Sequence, residues 1–157
     1  TNGDQTRTIA ETIDNGGTFE DALATRERED DAPNFTPRIS AMLDRRGQSH
    51  GISPSLMLSI LRANEADFLL TDRIIFNPAL PPPGFGFGLT TYQADGDPLP
   101  SFCGDPLWFP LKGEVSDVLS DYWAALNSIN RVAIAVKWIP DEHIPSVIDV
   151  VNRYDSI

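Results

Sequence analysis

Two prolines four residues apart, Pro33 and Pro37, constrain this chain more than any other feature. They lie within Asp31-Ala32-Pro33-Asn34-Phe35-Thr36-Pro37-Arg38-Ile39-Ser40. Each proline ring fixes its own φ and disfavours helix at the residue before it, so Ala32 and Thr36 are expected to be extended. The acid-rich run Glu27 to Asp31 ahead of them reads as a solvated helix end, and an apolar, β-favouring segment follows Pro37. The stretch is therefore a stiff, non-helical lead-in that delivers Arg38 to the edge of a strand. A guanidinium on rigid backbone suits an anionic or carbonyl-bearing ligand. A helix-to-strand connection with a solvent-facing arginine fits the same residues.

Charge and length narrow the classes open to the chain. Its 157 residues suit one domain with a real core, and 41% hydrophobic content is that of a globular protein. No apolar run approaches the ~18 residues that would cross a bilayer, and the chain does not open on a signal-peptide pattern. Acidic residues outnumber basic ones 23 to 12, a formal charge of −11. Such a surface repels nucleic-acid phosphates and leaves a phosphorylated metabolite only a pocket where arginines gather. The lone Cys103 rules out an internal disulfide and fits a reducing cytoplasm. The chain opens on Thr1, which reads as an N-terminally truncated piece or a processed subunit.

Periodicity supplies the coarse organisation. Asn2-Gly3 is a turn signal. Thr6 to Ile13 predicts a short helix with Ile9 and Ile13 on one face, and Asn15-Gly16-Gly17 stops it. Thr18 with Asp21 three residues on is a capping-box signature for a second helix, its apolar side formed by Phe19, Ala22, Leu23 and Arg26. Strands are expected at Arg38 to Leu43, Leu56 to Leu61, Arg73 to Asn77 and Leu89 to Gln93, with Asp44-Arg45-Arg46-Gly47 as a turn. The Pro- and Gly-rich stretch Pro78 to Gly88 reads as a loop whose Phe85 and Phe87 plug the core. Leu107 to Leu111 is a further apolar segment. Val115 to Leu126 predicts the clearest helix, with Trp123 and Leu126 on its buried stripe. Arg131 to Ile139 reads as a strand buried on both faces, and Ile144, Val147, Ile148 and Val151 as a helical stripe in the tail. No repeat or linker argues for two domains, so residues 1–157 read as one α+β domain with antiparallel sheet.

Most routes to a chemical site are poorly supported. His50 and His143 are far apart, and no Cys/His cluster offers zinc ligands. Asp95, Asp97 and Asp105 lack the acids of a calcium loop. Gly84-Phe85-Gly86-Phe87-Gly88 has the wrong spacing for a phosphate loop. Cys103 has no base nearby in sequence and reads as a plain thiol. What remains is Asn2, Asp4, Gln5 and Thr6 in one turn, with Asn34, Thr36 and Arg38 in the Pro-braced stretch. This mix of amides, a carboxylate and a guanidinium fits a planar amide and a sugar phosphate. Ordinary turn chemistry fits several of the same residues.

Three stretches together carry a resemblance: Thr1-Asn2-Gly3-Asp4-Gln5-Thr6, the Asp31 to Ser40 segment, and Thr91-Tyr92-Gln93-Ala94-Asp95-Gly96-Asp97-Pro98-Leu99-Pro100-Ser101-Phe102. From Thr1 to about Ile139 the chain resembles the archaeal-type IMP cyclohydrolase family, and within it the bacterial members. The resemblance implies a four-layer αββα sandwich like that of N-terminal-nucleophile hydrolases. It implies closure of 5-formamidoimidazole-4-carboxamide ribotide to IMP, with no cofactor. Arg38 is then the candidate donor to the formyl oxygen or phosphate clamp, Asp4 a proton acceptor or orienter, and Tyr92 an alternative. Asn2, Gln5, Thr6, Asn34 and Thr36 become substrate-binding candidates. The implied partner is a small nucleotide, with neither nucleic acid nor membrane, and a homo-oligomer is compatible. Two other classes compete: an amide hydrolase using Thr1 and its own α-amino group, and a non-catalytic binding homologue.

Overall fold

The computed structural model of the chain describes residues 3–140 and 144–154. Two compact units divide it: the residues up to Pro82 with Phe87–Phe109, and Pro83–Gly86 with the residues from Pro110 onward. The elements are a mixture of short helices and small antiparallel sheets.

In the first unit, helix α1 (Gln5–Asp14) carries Ile9 and Ile13 inward, as their spacing predicts. It stops where expected, with Gly16 at φ +84°. Helix α2 (Phe19–Ala24) begins with the predicted capping box. The Thr18 hydroxyl accepts the Asp21 N–H at 3.0 Å, and the Asp21 carboxylate accepts the Thr18 N–H at 2.9 Å. Hydrogen bonding from the Thr18 backbone N–H, and then from the Thr18 side chain, holds the Asp21 carboxyl below the usual carboxylate range.

The run Glu27 to Asp31 is not a helix end. Helix α2 stops earlier, and the carbonyls of Leu23 and Arg26 accept from Arg73 Nε at 3.2 and 3.0 Å. Within the acidic run Arg28 turns inward, and its Nε and Nη2 donate to the Phe68 carbonyl at 3.2 and 2.6 Å. One buried guanidinium therefore anchors a segment whose carboxylates suggested full solvation. Arg26, expected on the apolar side of α2, reaches Asp4 instead.

Strands β1 (Arg38–Asp44), β2 (Ser55–Ala63) and β3 (Thr71–Phe76) form an antiparallel sheet in that order. Ser40 lies opposite Ser59, Met42 opposite Met57, and Leu61 opposite Arg73. Alternation brings Met42, Met57, Leu61 and Ile75 together with Ile9, Phe19, Ala22 and Leu23 in one core. Leu58 and Ile60 fill the opposite face, where Leu58, Phe87 and Leu89 line a cavity of about 220 Å3.

The turn after β1 is built on Asp44, whose carboxylate accepts the Arg46 N–H at 3.0 Å and Arg46 Nη2 at 2.6 Å. The guanidinium lowers the Asp44 carboxyl from 3.8 to about 2. Its folded-state value is lowered, so the pair's stabilisation is complete above about pH 4 and fades as pH falls through about 2. A carbon-detected NMR titration should place the Asp44 midpoint near 2. In Arg46→Ala it should move up part of the way, because the backbone N–H remains. An unmoved midpoint would show that the guanidinium is not the cause.

Leu89 to Gln93 does not form the expected strand. Tyr92 bridges Ser101 as an isolated pair. Gln93 N–H donates to the Pro100 carbonyl at 3.0 Å and Phe102 N–H to Thr91 at 3.2 Å. Pro98 and Pro100 have no N–H to extend a ladder. Conversely, the expected loop contains a strand, β4 (Phe85–Gly88), paired with β5 (Leu107–Pro110). Phe87 meets Trp108 edge-on at 4.5 Å, whereas Phe85 is exposed and plugs no core.

The second unit holds helix α3 (Val115–Ala125) and strands β6 (Ala133–Trp138) and β7 (Val147–Asn152). Asp117 accepts the Glu114 N–H at 2.9 Å and so fixes the start of α3. Leu119 is buried, but Leu126 falls just past the last turn and is 41% exposed. Trp123 is half-buried, its ring under the Arg131 guanidinium at 4.2 Å. The predicted helix is thus one residue too long, and its last apolar position falls outside it. Leu126→Ala should cost less than ~1 kcal/mol and Leu119→Ala about 2 kcal/mol or more in chemical denaturation. The reverse order would mean that Leu126 is covered.

The segment 131–139 is not buried on both faces. Among the described residues strand β6 pairs with β7 and no other strand, and Trp138 is 45% exposed. An apolar run suggests a central strand, but a two-stranded sheet has only edges. The tail forms β7 in place of the expected helix. Val147, Ile148, Val150 and Val151 are β-branched and favour a strand once Trp138 pairs with Val147. Among the described residues no helix is long and apolar enough to cross a membrane.

Candidate functional site

Arg38 opens β1 and enters a cluster of charges. Its Nη1 donates to Asp4 Oδ1 at 2.6 Å and to Gln5 Oε1 at 3.1 Å, and its Nη2 to Glu29 Oε2 at 2.9 Å. Arg26 Nη2 donates to the same Asp4 oxygen. The Arg38 side chain is only 14% exposed, so the expected solvated arginine is corrected: the pairs with Asp4 and Glu29 draw it in. A Cβ on Gly3 would lie 2.5 Å from Gln5 Oε1 and 2.6 Å from Arg38 Nη1, so a side chain there would push both groups aside. Hydrogen bonds from Arg26 and then Arg38 hold the Asp4 carboxyl below its usual range. A lowered carboxyl is a weak base, which suits Asp4 to orienting guanidinium groups more than to accepting a proton.

A second group closes the Pro-braced loop. Thr36 N–H donates to Asp31 Oδ1 at 2.6 Å, and the Thr36 hydroxyl donates to the other carboxylate oxygen. These bonds lower the Asp31 carboxyl as well. The Thr36 hydroxyl also meets the Tyr92 hydroxyl at 2.7 Å. Glu29 N–H donates to the Thr36 carbonyl at 3.0 Å, which ties this loop to the Arg38 cluster. Between the two prolines Phe35 sits at φ +44°, a left-handed conformation that a bulky side chain rarely adopts. Its ring is held under the Arg28 guanidinium at 4.2 Å and stacked on Phe68 at 6.0 Å.

The two longer motif stretches then meet. Pro33, Asn34 and Phe35 from one, and Gln93 with Pro98, Leu99, Pro100 and Ser101 from the other, line a cavity of about 390 Å3. Asn34 Oδ1 accepts the Leu99 N–H at 3.1 Å and joins the two walls. Arg62, Ala63, Glu65, Phe68 and Cys103 complete the lining, and the Cys103 thiol donates to Gln93 Oε1 at 2.9 Å.

The sequence candidates thus separate. Asp4, Gln5 and Arg38 share one cluster, and Thr36 and Tyr92 share another. Asn34 lines the cavity, Thr6 sits exposed on α1, and Asn2 lies outside the described residues. Sequence reasoning missed Arg26, Glu29 and Arg62. Only Arg62 gave a signal, as a charge ending the apolar run Leu56 to Leu61. Among the described residues no group of three or more His, Cys, Asp or Glu side chains is placed to hold a metal ion.

The IMP cyclohydrolase-like protein family matches the chain over residues 1–143. The chain belongs to this family. No curated protein and no solved structure matches it. The part matched to the IMP cyclohydrolase-like family contains the Arg38 cluster, the Asp31–Thr36–Tyr92 group and every residue lining the cavity.

Proposed function

We propose that this IMP cyclohydrolase-like protein closes 5-formamidoimidazole-4-carboxamide ribotide to IMP. One observation carries the reading: the two longer stretches that bear the family resemblance form opposing walls of one cavity. In the reaction the carboxamide nitrogen bonds to the formyl carbon, and the formyl oxygen leaves as water. Both groups lie on one molecule, so holding them in line supplies much of the rate. The chemistry calls for no cofactor. Asn34 and Thr36, with Asn2 and Thr6, are the substrate-binding residues of this reading, while Gln5, a substrate-binding candidate by resemblance, is fully buried and supports Arg38 through its Oε1. Tyr92 passes protons through the Thr36 hydroxyl. Arg38 polarises the formyl oxygen by exchanging the Glu29 carboxylate for substrate, while Asp4 keeps it aligned.

The family match runs through both compact units, which supports one IMP cyclohydrolase-like domain. The αββα sandwich belongs to this reading, and the packing of helices α1 and α2 on the three-stranded sheet supports it. We place the reaction in the cytoplasm on the strength of the single, unpaired Cys103. Incubating the purified chain with the ribotide should yield IMP by chromatography, with no loss of rate under a chelator. Folded protein that yields no IMP would overturn the proposal. The ion pairs around Arg38 favour a second reading, a non-catalytic binding homologue, which IMP binding without turnover would support.

A further inference from the structure

Arg62 stands apart from the other arginines. Each of the others among the described residues has an acceptor within 3.0 Å, as Arg38 has in Asp4 and Arg131 in the Trp123 carbonyl at 2.7 Å. Arg62 reaches the Phe102 carbonyl only at 3.3 Å and Glu65 at 3.8 Å, and its Nε, like that of Arg38, is buried with no partner. Its side chain is 15% exposed and lines the 390 Å3 cavity. A buried cation with loose partners is costly, and a chain of charge −11 has carboxylates to spare. An incoming anion would complete its donors.

The rest of the cavity offers an apolar wall. Phe35 and Phe68 line it as a pair stacked on each other, ring centroids 6.0 Å apart and 13° from parallel. Phe35 keeps its left-handed backbone there, and backbone strain of this kind concentrates at ligand sites. The volume falls within the roughly 300–1,000 Å3 typical of small-molecule pockets.

Building on the cavity assignment above, we infer that Arg62 binds the phosphate of a phosphorylated planar heterocycle, displacing Glu65, while the stacked pair of Phe35 and Phe68 forms an apolar wall beside it. Arg62 is a binding and specificity residue; the chemistry belongs to other groups. The Glu65 side chain is 85% exposed and swings into water at little cost.

The test is calorimetric titration of the full chain with IMP, and with inosine, which lacks the phosphate. Wild type should bind IMP about tenfold or more tighter than inosine, a preference that Arg62→Ala abolishes. Removing the competing carboxylate in Glu65→Gln should tighten IMP about two- to fivefold and leave inosine unchanged. The inference falls if wild type binds no IMP, if it binds both ligands equally, or if Arg62→Ala keeps the preference. Should Arg62→Ala fail to fold, Glu65→Gln decides: IMP affinity unchanged or weakened sinks the idea. Arg62-dependent IMP binding without turnover would sink ring closure and leave this inference standing. Turnover with no effect of Arg62 on binding would do the opposite.

Discussion

Phe19→Ala should destabilise the first unit by about 3–5 kcal/mol, the range for emptying a buried aromatic site. Phe19 is almost fully buried and opens α2, whose underside it presses against Ile9, Leu23 and Leu61. The residues around it come from two helices and the central strand, so no single neighbour can slide in to fill the space. Hydrogen exchange of the β2 amides is the measurement of choice, because it reports this unit directly. Phe19→Leu should lose much less. Equal protection in wild type and Phe19→Ala would mean that the helices are not what holds the sheet.

Arg38→Lys should act on two properties at once. A lysine keeps the charge but cannot span Asp4, Gln5 and Glu29 with one ammonium. If Arg38 polarises the formyl oxygen, kcat/KM should fall about tenfold to a thousandfold. A solvent-facing arginine, one of the two readings its sequence allows, would leave folding almost unchanged on replacement. The burial and three bonds of Arg38 change that expectation to a loss of about 1–3 kcal/mol. Glu29→Gln separates the two effects. It weakens the cluster while freeing Nη2 for substrate, so stability should fall and KM should not rise. Full activity in Arg38→Lys would remove Arg38 from the site even if the protein still makes IMP.

Local signals were legible wherever a residue's partner lay close in the chain. The Thr18–Asp21 capping box, the Ile9–Ile13 face and strands β1 to β3 all follow from spacings of a few residues. Failures came where the partner was distant or missing. Nothing near Arg28 announces the Phe68 carbonyl, and nothing near Arg38 announces Asp4. The stripe ending at Leu126 obeys helical periodicity, yet the helix stops one residue short of it. The tail around Val147 fits a helical stripe and a strand equally well by hydrophobicity, and pairing with β6 decides it. Of the site, the motif stretches were visible as sequence. Their meeting at one cavity was not, because Asn34 and Leu99 are joined by a bond that no periodicity encodes.

Gln5 gives the first unit something that its oily residues cannot. Its side chain is fully buried, and its amide donates to the Ile39 carbonyl at 3.2 Å and to the Ser40 hydroxyl at 3.4 Å. Apolar surfaces tolerate many alignments of a helix on a sheet, since one methyl group serves nearly as well as another. A buried amide does not. Sliding α1 by one turn would carry Gln5 away from both acceptors and strand its donors in hydrocarbon. The residue therefore works as a key cut for one lock, contributing less to how tightly the unit holds than to which single arrangement it holds.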